Sequence, residues 1–386
     1  MKKNIVILFL FFTYAVFGQK IITKRYQSEI LKKPRNVKIS LPKDYEKDSI
    51  TNFPLVIVLD AGSLFNIVVG NSNLPTISDE APRQIIVGIE MINTQYKDVG
   101  YIKETGKLTG DNYNFLRFIR EELLVDIEAN YKTSSFLTIV GEGLSGNLIT
   151  HFLKEEYPVF NSYICINPTL SIDFINHIDL LSLPRYEKLD NTFYFYLSGS
   201  PFNNKQKSNR ILQFHTFLSS LDIANFHYKY DDFEQSQSSV SAVGEAVPRA
   251  LTKTFETYKK INKEEYLKNI KNLSPEDAIL YLKNKYLDIE YLFGTNIGIR
   301  IEDIYAIESI IIDQDNGKYL KGFGKMILKL FPSSPLGDYY LGLYYEMGKK
   351  YKKALKYYHK GYGKFDLSNP DADKFYKNIE RVNGMN

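Results

Sequence analysis

The stretch "TIVGEGLSGNLITHFL", Thr138 to Leu153, has the make-up of a nucleophile site. An apolar run leads into clustered glycines and a serine, and an amphipathic segment follows. The chemistry would be attack on a carbonyl by a serine oxygen, with a base to take its proton. The spacing departs from that chemistry. Read from Gly141, the G-x-S-x-G template puts Gly143 at the serine; read around Ser145, it puts Asn147 at the second glycine. Gly143 carries no oxygen. Ser145 lies two residues further on, about 200° around a helix, so its oxygen points away from where an apex serine would aim. A serine in the first helical turn is expected to bond to backbone instead. Glu142 sits near the helix N-terminus, where the dipole favours an anion. It reads as a pocket carboxylate for a cation or hydroxyl, or as a salt-bridged helix-end charge, and the second reading is favoured.

Other candidates are few. Asp60 ends the apolar run "FPLVIVLDAG" and would stand at a pocket mouth. Of five histidines, His177 in "INHIDLL" is the one kept as a site candidate. His151, His215, His227 and His359 read as packing or surface residues, and no two histidines have H-x-x-x-H spacing. Cys165 is the single cysteine, so Cys-based metal sites and internal disulfides are excluded by count. No metal and no cofactor are expected.

The elements that must position these residues alternate along the chain. "FPLVIVLDAG", "RQIIVGIE", "FLTIVGEG", "SYICINP" and "TFYFYLSGS" are short apolar runs ending in turn residues, the form of parallel strands buried on both faces. "NVKISLP" (36–42) alternates like an edge strand, and "NFHYKY" reads as a further strand. Helical patterns fall between them at 114–131, 145–157 and 208–221. This order predicts a doubly wound α/β domain over residues 19–261. Residues 1–18 read as a signal peptide, with Lys2 and Lys3 before an apolar run and small residues at Val16 and Gly18. An uncleaved N-terminal anchor is the alternative.

Four segments carry a resemblance. "FPLVIVLDAG", "RQIIVGIEMINTQYKDVGY", "FLRFIREELLVDIEANYKTSSFLTIVGEGLSG" and "VFNSYICINPTL" resemble segments of the putative esterase family of α/β-hydrolases, the group of esterase D-like and enterochelin esterase-like enzymes. The resemblance implies an α/β-hydrolase fold and carboxylic-ester hydrolysis. It places Asp98 at the family's loop aspartate; Asp98 is taken as a pocket candidate, or as a structural residue that holds the loop. Against the elbow "GHSxGG", it puts Glu142 at the histidine, Gly143 at the nucleophile and Ser145 at the first paired glycine. In "SQSSVSAVGEAVPRAL" it puts Gln237 at the catalytic base, and "SGSPFNNK" offers no carboxylate for the acid. Glutamine cannot take a proton. The chemistry is therefore expected to be lost, and a degenerate binding or scaffolding protein is the favoured expectation. An ester hydrolase with a non-standard site, built from Ser145, His177 or Glu142, is the alternative; a small-ligand receptor reusing the old pocket is a third.

After Ile261 the composition turns charged and helical, with Ser274-Pro275-Glu276 as a helix start. From Leu336 the spacing of Leu341, Gly342, Tyr345, Ala354, Tyr358 and Gly361 follows a tetratricopeptide helix pair. Some members of the resembled family carry such extensions. One repeat cannot bury its own core, so residues 262–386 are expected to pack on the preceding domain or on a cell-envelope protein partner. "MGKKYKKALKYYHKGYGK" reads as a solvated helix face with its tyrosines toward the core, or as a patch for nucleic acid or an anionic surface; the first is favoured. A formal net charge of +4 gives no overall field for nucleic acid, and no integral membrane segment is expected after leader cleavage. The expected location is exported, periplasmic or secreted.

Overall fold

Eight strands form one sheet in the order β1-β2-β4-β3-β5-β6-β7-β8. The computed structural model describes residues 20–385 apart from 156, 177–185, 296, 314–316, 366–368 and 370. The expected leader and His177 thus lie outside the described residues. β1 (Lys20–Ser28) and β2 (Lys33–Leu41) form an antiparallel hairpin, and β2 also runs antiparallel to β4 (Ile85–Ile89). From β4 onward the pairs are parallel, through β3 (Phe53–Leu59), β5 (Thr133–Glu142), β6 (Ser162–Ile166), β7 (Phe193–Ser198) and β8 (Phe226–Asp231). β3, β4, β6 and β7 are buried at every position, as continuous apolar runs demand when both faces are covered. The "NVKISLP" strand is not the edge. β1, whose alternation is broken by its charged residues, lies outside it.

One face of the sheet packs on α3 (Gly110–Arg117), α4 (Leu124–Asn130), α5 (Leu144–Phe152) and α7 (Lys205–Ser219). The run expected as one helix over 114–131 is helical throughout, α3 passing into α4 through a π-helical segment at Phe118–Leu123 that seats Phe118, Ile119 and Leu123 in the core. Two short helices, α2 (Gln95–Val99) and α6 (Ile172–Asn176), lie in the loops after β4 and β6. The other face packs on α1 (Phe65–Ile77) and α8 (Ser239–Thr254), whose Ala242, Ala246 and Ala250 bring the helix close to the strands.

The helices after Ile261 continue this second layer. They are α9 (Pro275–Phe293), α10 (Ile301–Asp313), α11 (Leu320–Leu330), α12 (Leu336–Met347), α13 (Tyr351–Tyr362) and α14 (Ala372–Asn383). α9 begins as the sequence predicts: Ser274 caps it by accepting from the Asp277 N–H, with Pro275 following. Its Phe293 then lies edge-on to Phe136 of β5, at 4.9 Å between ring centres. A single apolar cluster runs from Val56 in β3 to Tyr340 in α12. The two regions expected to part at Ile261 therefore share a core. A polar seam fixes them: the buried Arg300 donates to both carboxylate oxygens of the half-exposed Asp79, at 2.5 and 3.1 Å, and to the Tyr258 carbonyl at 2.9 Å. Its guanidinium also lies 4.7 Å from the Tyr258 ring centre. Asp303 closes the seam, accepting from Tyr286 Oη at 2.7 Å and the Ile261 N–H at 2.8 Å.

α12 and α13 form a tight antiparallel pair, and two glycines set its spacing. A Cβ on Gly342 would lie 2.5 Å from the Tyr358 ring; one on Gly361 would lie 2.4 Å from the Phe375 ring of α14. Asp338, fully buried in α12, pairs with Lys364 at 2.6 Å. Glu346 pairs with Arg381 and accepts from Tyr358 Oη at 2.7 Å. α14 thus covers what one helix pair would leave bare.

Candidate functional site at the strand ends

In an open parallel sheet, ligands meet the carboxyl ends of the strands, where loops leave the sheet in turn. Here those ends are strained in a regular way. Asp60 after β3 (φ 60°), Asn93 after β4 (φ 60°) and Asn167 after β6 (φ 44°) all hold left-handed backbone, and Gly143 after β5 holds φ 58°, ψ −117°. Asp and Asn tolerate that region because their short side chains bond locally; the Gly143 conformation is one that a side chain resists.

Gly143 is the apex of a sharp strand-to-helix elbow. Its N–H donates to the Ile166 carbonyl at 3.1 Å, and its carbonyl accepts from the Thr169 N–H at 2.8 Å. Behind it, α5 rests on β5 because Gly141 has no side chain: a Cβ there would meet Ser145 Cβ at 2.8 Å. In front of it there is room. A Cβ at Gly143 would meet nothing nearer than Thr169 Oγ1 at 3.8 Å. The elbow has room for a side chain at its apex, and Gly143 supplies none.

Ser145 does not replace it. The residue is fully buried, and its Oγ has no hydrogen-bond partner. The expected bond to backbone is therefore not made, because the side chain is wedged between α5 and Gly141 rather than free to turn. Ser145 therefore does not open onto the surface at the strand ends, and the structure does not place it in a pocket. Asp98 drops out as well. It is 2% exposed and clamped by Arg35, whose two terminal nitrogens donate at 2.7 and 2.8 Å. Thr94 Oγ1 donates to the same carboxylate. This bidentate pair ties α2 to β2, so Asp98 holds the loop as a structural residue.

The remaining carboxylates do face the site. Asp60 accepts from Gln95 Nε2 at 3.0 Å and lines an open cleft of about 380 Å³ with Met91, Ile92, Asn93, Gln95 and Tyr96. Burial pushes the Glu142 carboxyl above the usual range; Lys207 opposes that shift and Asp60 adds to it. Burial in turn lowers the Lys207 ammonium, with Glu142 opposing. Glu142 is thus a half-buried carboxylate that feels both a cation and a second carboxylate, and among the described residues it stands in no ion pair.

Lys207 is the residue that sequence reasoning missed. Its signal is its place in "SGSPFNNKQK", the segment after β7 that reaches the same end of the sheet. That segment carries no carboxylate. Its Asn203 donates to Asn167 Oδ1 at 2.6 Å, so amides hold this part of the rim. Gln237 is exposed in the bend before α8, beside Ser238, whose hydroxyl caps that helix by accepting from the Ser241 N–H. Among the described residues no hydrogen bond joins Gln237 to Gly143. His151 of α5 lies beneath the elbow, its Nε2 buried and unpartnered, and burial lowers its pKa to about 3. Cys165, buried in β6 as expected, has its thiol pushed far up by the same cause.

Comparison with known proteins agrees with this architecture. An uncharacterised protein from Capnocytophaga ochracea is similar over 95% of this chain and 100% of its own, at 23% identity and a TM-score of 0.76. Because that match spans nearly the whole chain, it takes in the helical region as well as the sheet. An IroE-like serine hydrolase from Shewanella oneidensis matches over 78% of this chain and 96% of its own, at 20% identity and a TM-score of 0.57. The BES protein from Bacillus cereus matches over 66% and 98%, at 17% identity and a TM-score of 0.53. Each likeness shows the fold. Comparison with curated proteins finds no match. The family model described as "Putative esterase" matches residues 28–208, the part that builds β2 to β7 and the elbow. Over that span, just under half of the chain, the sequence matches the putative esterase family, and the fold around it is that of an α/β-hydrolase.

Proposed function

We propose that this protein is a catalytically silent esterase-fold protein of the cell envelope, which binds rather than turns over its ligand. One observation carries the reading: the elbow keeps its geometry while its apex, Gly143, presents no atom able to attack a carbonyl. Ser145 is sealed, and Gln237 cannot serve as a base. Loss of one member of a nucleophile–base unit leaves only binding and backbone stabilisation, and loss of a second adds little. What the strand ends retain is Glu142, Lys207 and Asp60 beside an open cleft, a set suited to a ligand carrying ammonium or hydroxyl groups. The helical region after Ile261 would add a partner surface, and the reading includes export with cleavage between Gly18 and Gln19. Among the described residues no helix is long and apolar enough to cross a membrane.

Fluorophosphonate labelling of the purified protein tests the reading. No serine is expected to be labelled, and hydrolysis of p-nitrophenyl butyrate is expected to match a heat-treated control. A labelled serine, or saturable hydrolysis, would sink it. The alternative, an ester hydrolase with a non-standard site, draws on Glu142, whose raised pKa beside Lys207 suits proton transfer. It requires activity that Glu142→Gln removes.

A further inference from the structure

The lysine-rich stretch has a three-dimensional counterpart that a single helix face does not explain. Residues 317–364 hold eleven lysines, no arginine and two acids, Asp338 and Glu346, for a formal +9; since the chain as a whole carries +4, the remainder carries −5. Both acids are already engaged inside the fold, Asp338 with Lys364 and Glu346 with Arg381. The lysines are not spread evenly. α11 leaves one end of the helical array, α12 returns to it, and α13 leaves it again. Gly317, just before α11, lies against Met347 at the end of α12, where an added Cβ would be 2.8 Å from its Sδ. Two cations from different helices meet adjacent rings of α12: Lys321 over Tyr344 at 5.8 Å and Lys353 over Tyr345 at 5.5 Å. Tyr344 and Tyr345 are themselves 5.1 Å apart.

Lys318, Lys321, Lys349, Lys350, Lys352 and Lys353 therefore crowd one end of the array. All six are exposed, and among the described residues none stands in an ion pair. A native surface normally mixes signs, so an unrelieved cluster costs self-repulsion and calls for an anionic partner. Next to it, α9 and α11 flank a cleft of about 430 Å³, lined by Ile279, Leu280, Phe323 and Met326 with Lys283 and Lys318 at its rim. Glu276 borders the same cleft and accepts from Tyr319 Oη at 2.9 Å. Leu280 is 52% exposed and Met347 43%.

We propose that this end of the helical array docks on an anionic phospholipid surface, with the lysines over the headgroups and the cleft between α9 and α11 facing the acyl boundary. Charge complementarity fixes the sign of the partner. Two features choose lipid over nucleic acid. Every cation is lysine, a point charge suited to a diffuse negative surface, and the arginine forks that grip phosphates and base edges are missing. An apolar cleft beside the charges matches a surface whose interior is apolar. The inference is independent of whether the strand-end site is catalytic.

Sedimentation of the full chain with vesicles tests it. Vesicles of 7:3 phosphatidylcholine and phosphatidylglycerol are expected to carry the protein down, and pure phosphatidylcholine to leave it in solution. Each lysine near the surface contributes about fivefold. The triple variant Lys349→Glu, Lys350→Glu, Lys353→Glu should therefore weaken binding about a hundredfold or more. Reversing Lys103, Lys107 and Lys268, exposed residues elsewhere, lowers net charge equally and should leave binding within about threefold. Unfolding temperature and circular dichroism check that both variants fold; if the first does not, Lys321→Gln with Lys353→Gln replaces it. Equal loss in the two triple variants overturns the proposal, as does binding to phosphatidylcholine alone. Tighter binding to duplex DNA at matched phosphate and salt also overturns it.

Discussion

Two regions of this molecule use glycine for opposite reasons. At the elbow, the missing side chain of Gly143 faces open space, with Thr169 Oγ1 at 3.8 Å the nearest atom it would meet. In the helical array, the missing side chains of Gly342 and Gly361 are already occupied: the rings of Tyr358 and Phe375 stand 2.5 and 2.4 Å away. The array needs its glycines to close. The elbow needs one for its backbone angles, and a residue able to pay a strain cost fits there without collision. Absence of a side chain is a packing requirement in one place and a chemical vacancy in the other.

Four experiments break or sharpen that contrast. The largest effect is expected from removing the array entirely. A chain ending at Ile261 strips α9 and the Arg300 seam from the shared core, so no cooperative unfolding transition is expected from circular dichroism or calorimetry. A sharp transition near that of the full chain would show that the two regions are separable after all. It follows that such a truncation is a poor way to assign partners to the array.

The second concerns His151 beneath the elbow, whose pKa of about 3 lies well below that of a free imidazole. Its folded pKa is depressed, so the unfolded chain binds the extra proton first. Stability is full above about pH 6.5 and is lost as pH falls towards 3, by roughly 3–5 kcal/mol at the acid end. Thermal unfolding across that range reads it directly. His151→Gln should flatten this part of the acid limb, and an unchanged limb would place the sensitivity elsewhere.

Third, Gly342→Ala should cost about 1–3 kcal/mol through overpacking against Tyr358, despite the better helix propensity of alanine. A neutral or stabilising result would mean that the helix pair opens at little cost. The smallest effect is expected at the elbow. Gly143→Ala meets no neighbour, and only its φ of 58° opposes it, at about 1 kcal/mol. A loss as large as that at Gly342 would contradict the contrast drawn above.

Most of the parallel strands were legible because burial on both faces leaves no choice but continuous apolar runs, as in "FPLVIVL" and "SYICI". β1 was not, since "KIITKRYQS" faces solvent along most of its length and carries no such run. The elbow was legible from glycine spacing alone. The burial of Ser145 and the clamp on Asp98 were not: Arg35 is 63 residues away in sequence, and no local pattern announces such a pair. Lys207 was missed for a related reason. A lysine in a polar segment looks solvated until the fold half-buries it beside Glu142.

The Arg300–Asp79 seam joins residues 221 positions apart. The α/β part is synthesised long before the helices that complete its second layer, so the part of that face beyond α1 and α8 stands uncovered while the last third of the chain is still being made. Contacts of such separation slow folding, and uncovered apolar faces invite association. Translation order therefore sets a risk: this chain is safest when its completion is awaited, by export in an unfolded state or by a chaperone that shields Phe136 until Phe293 arrives.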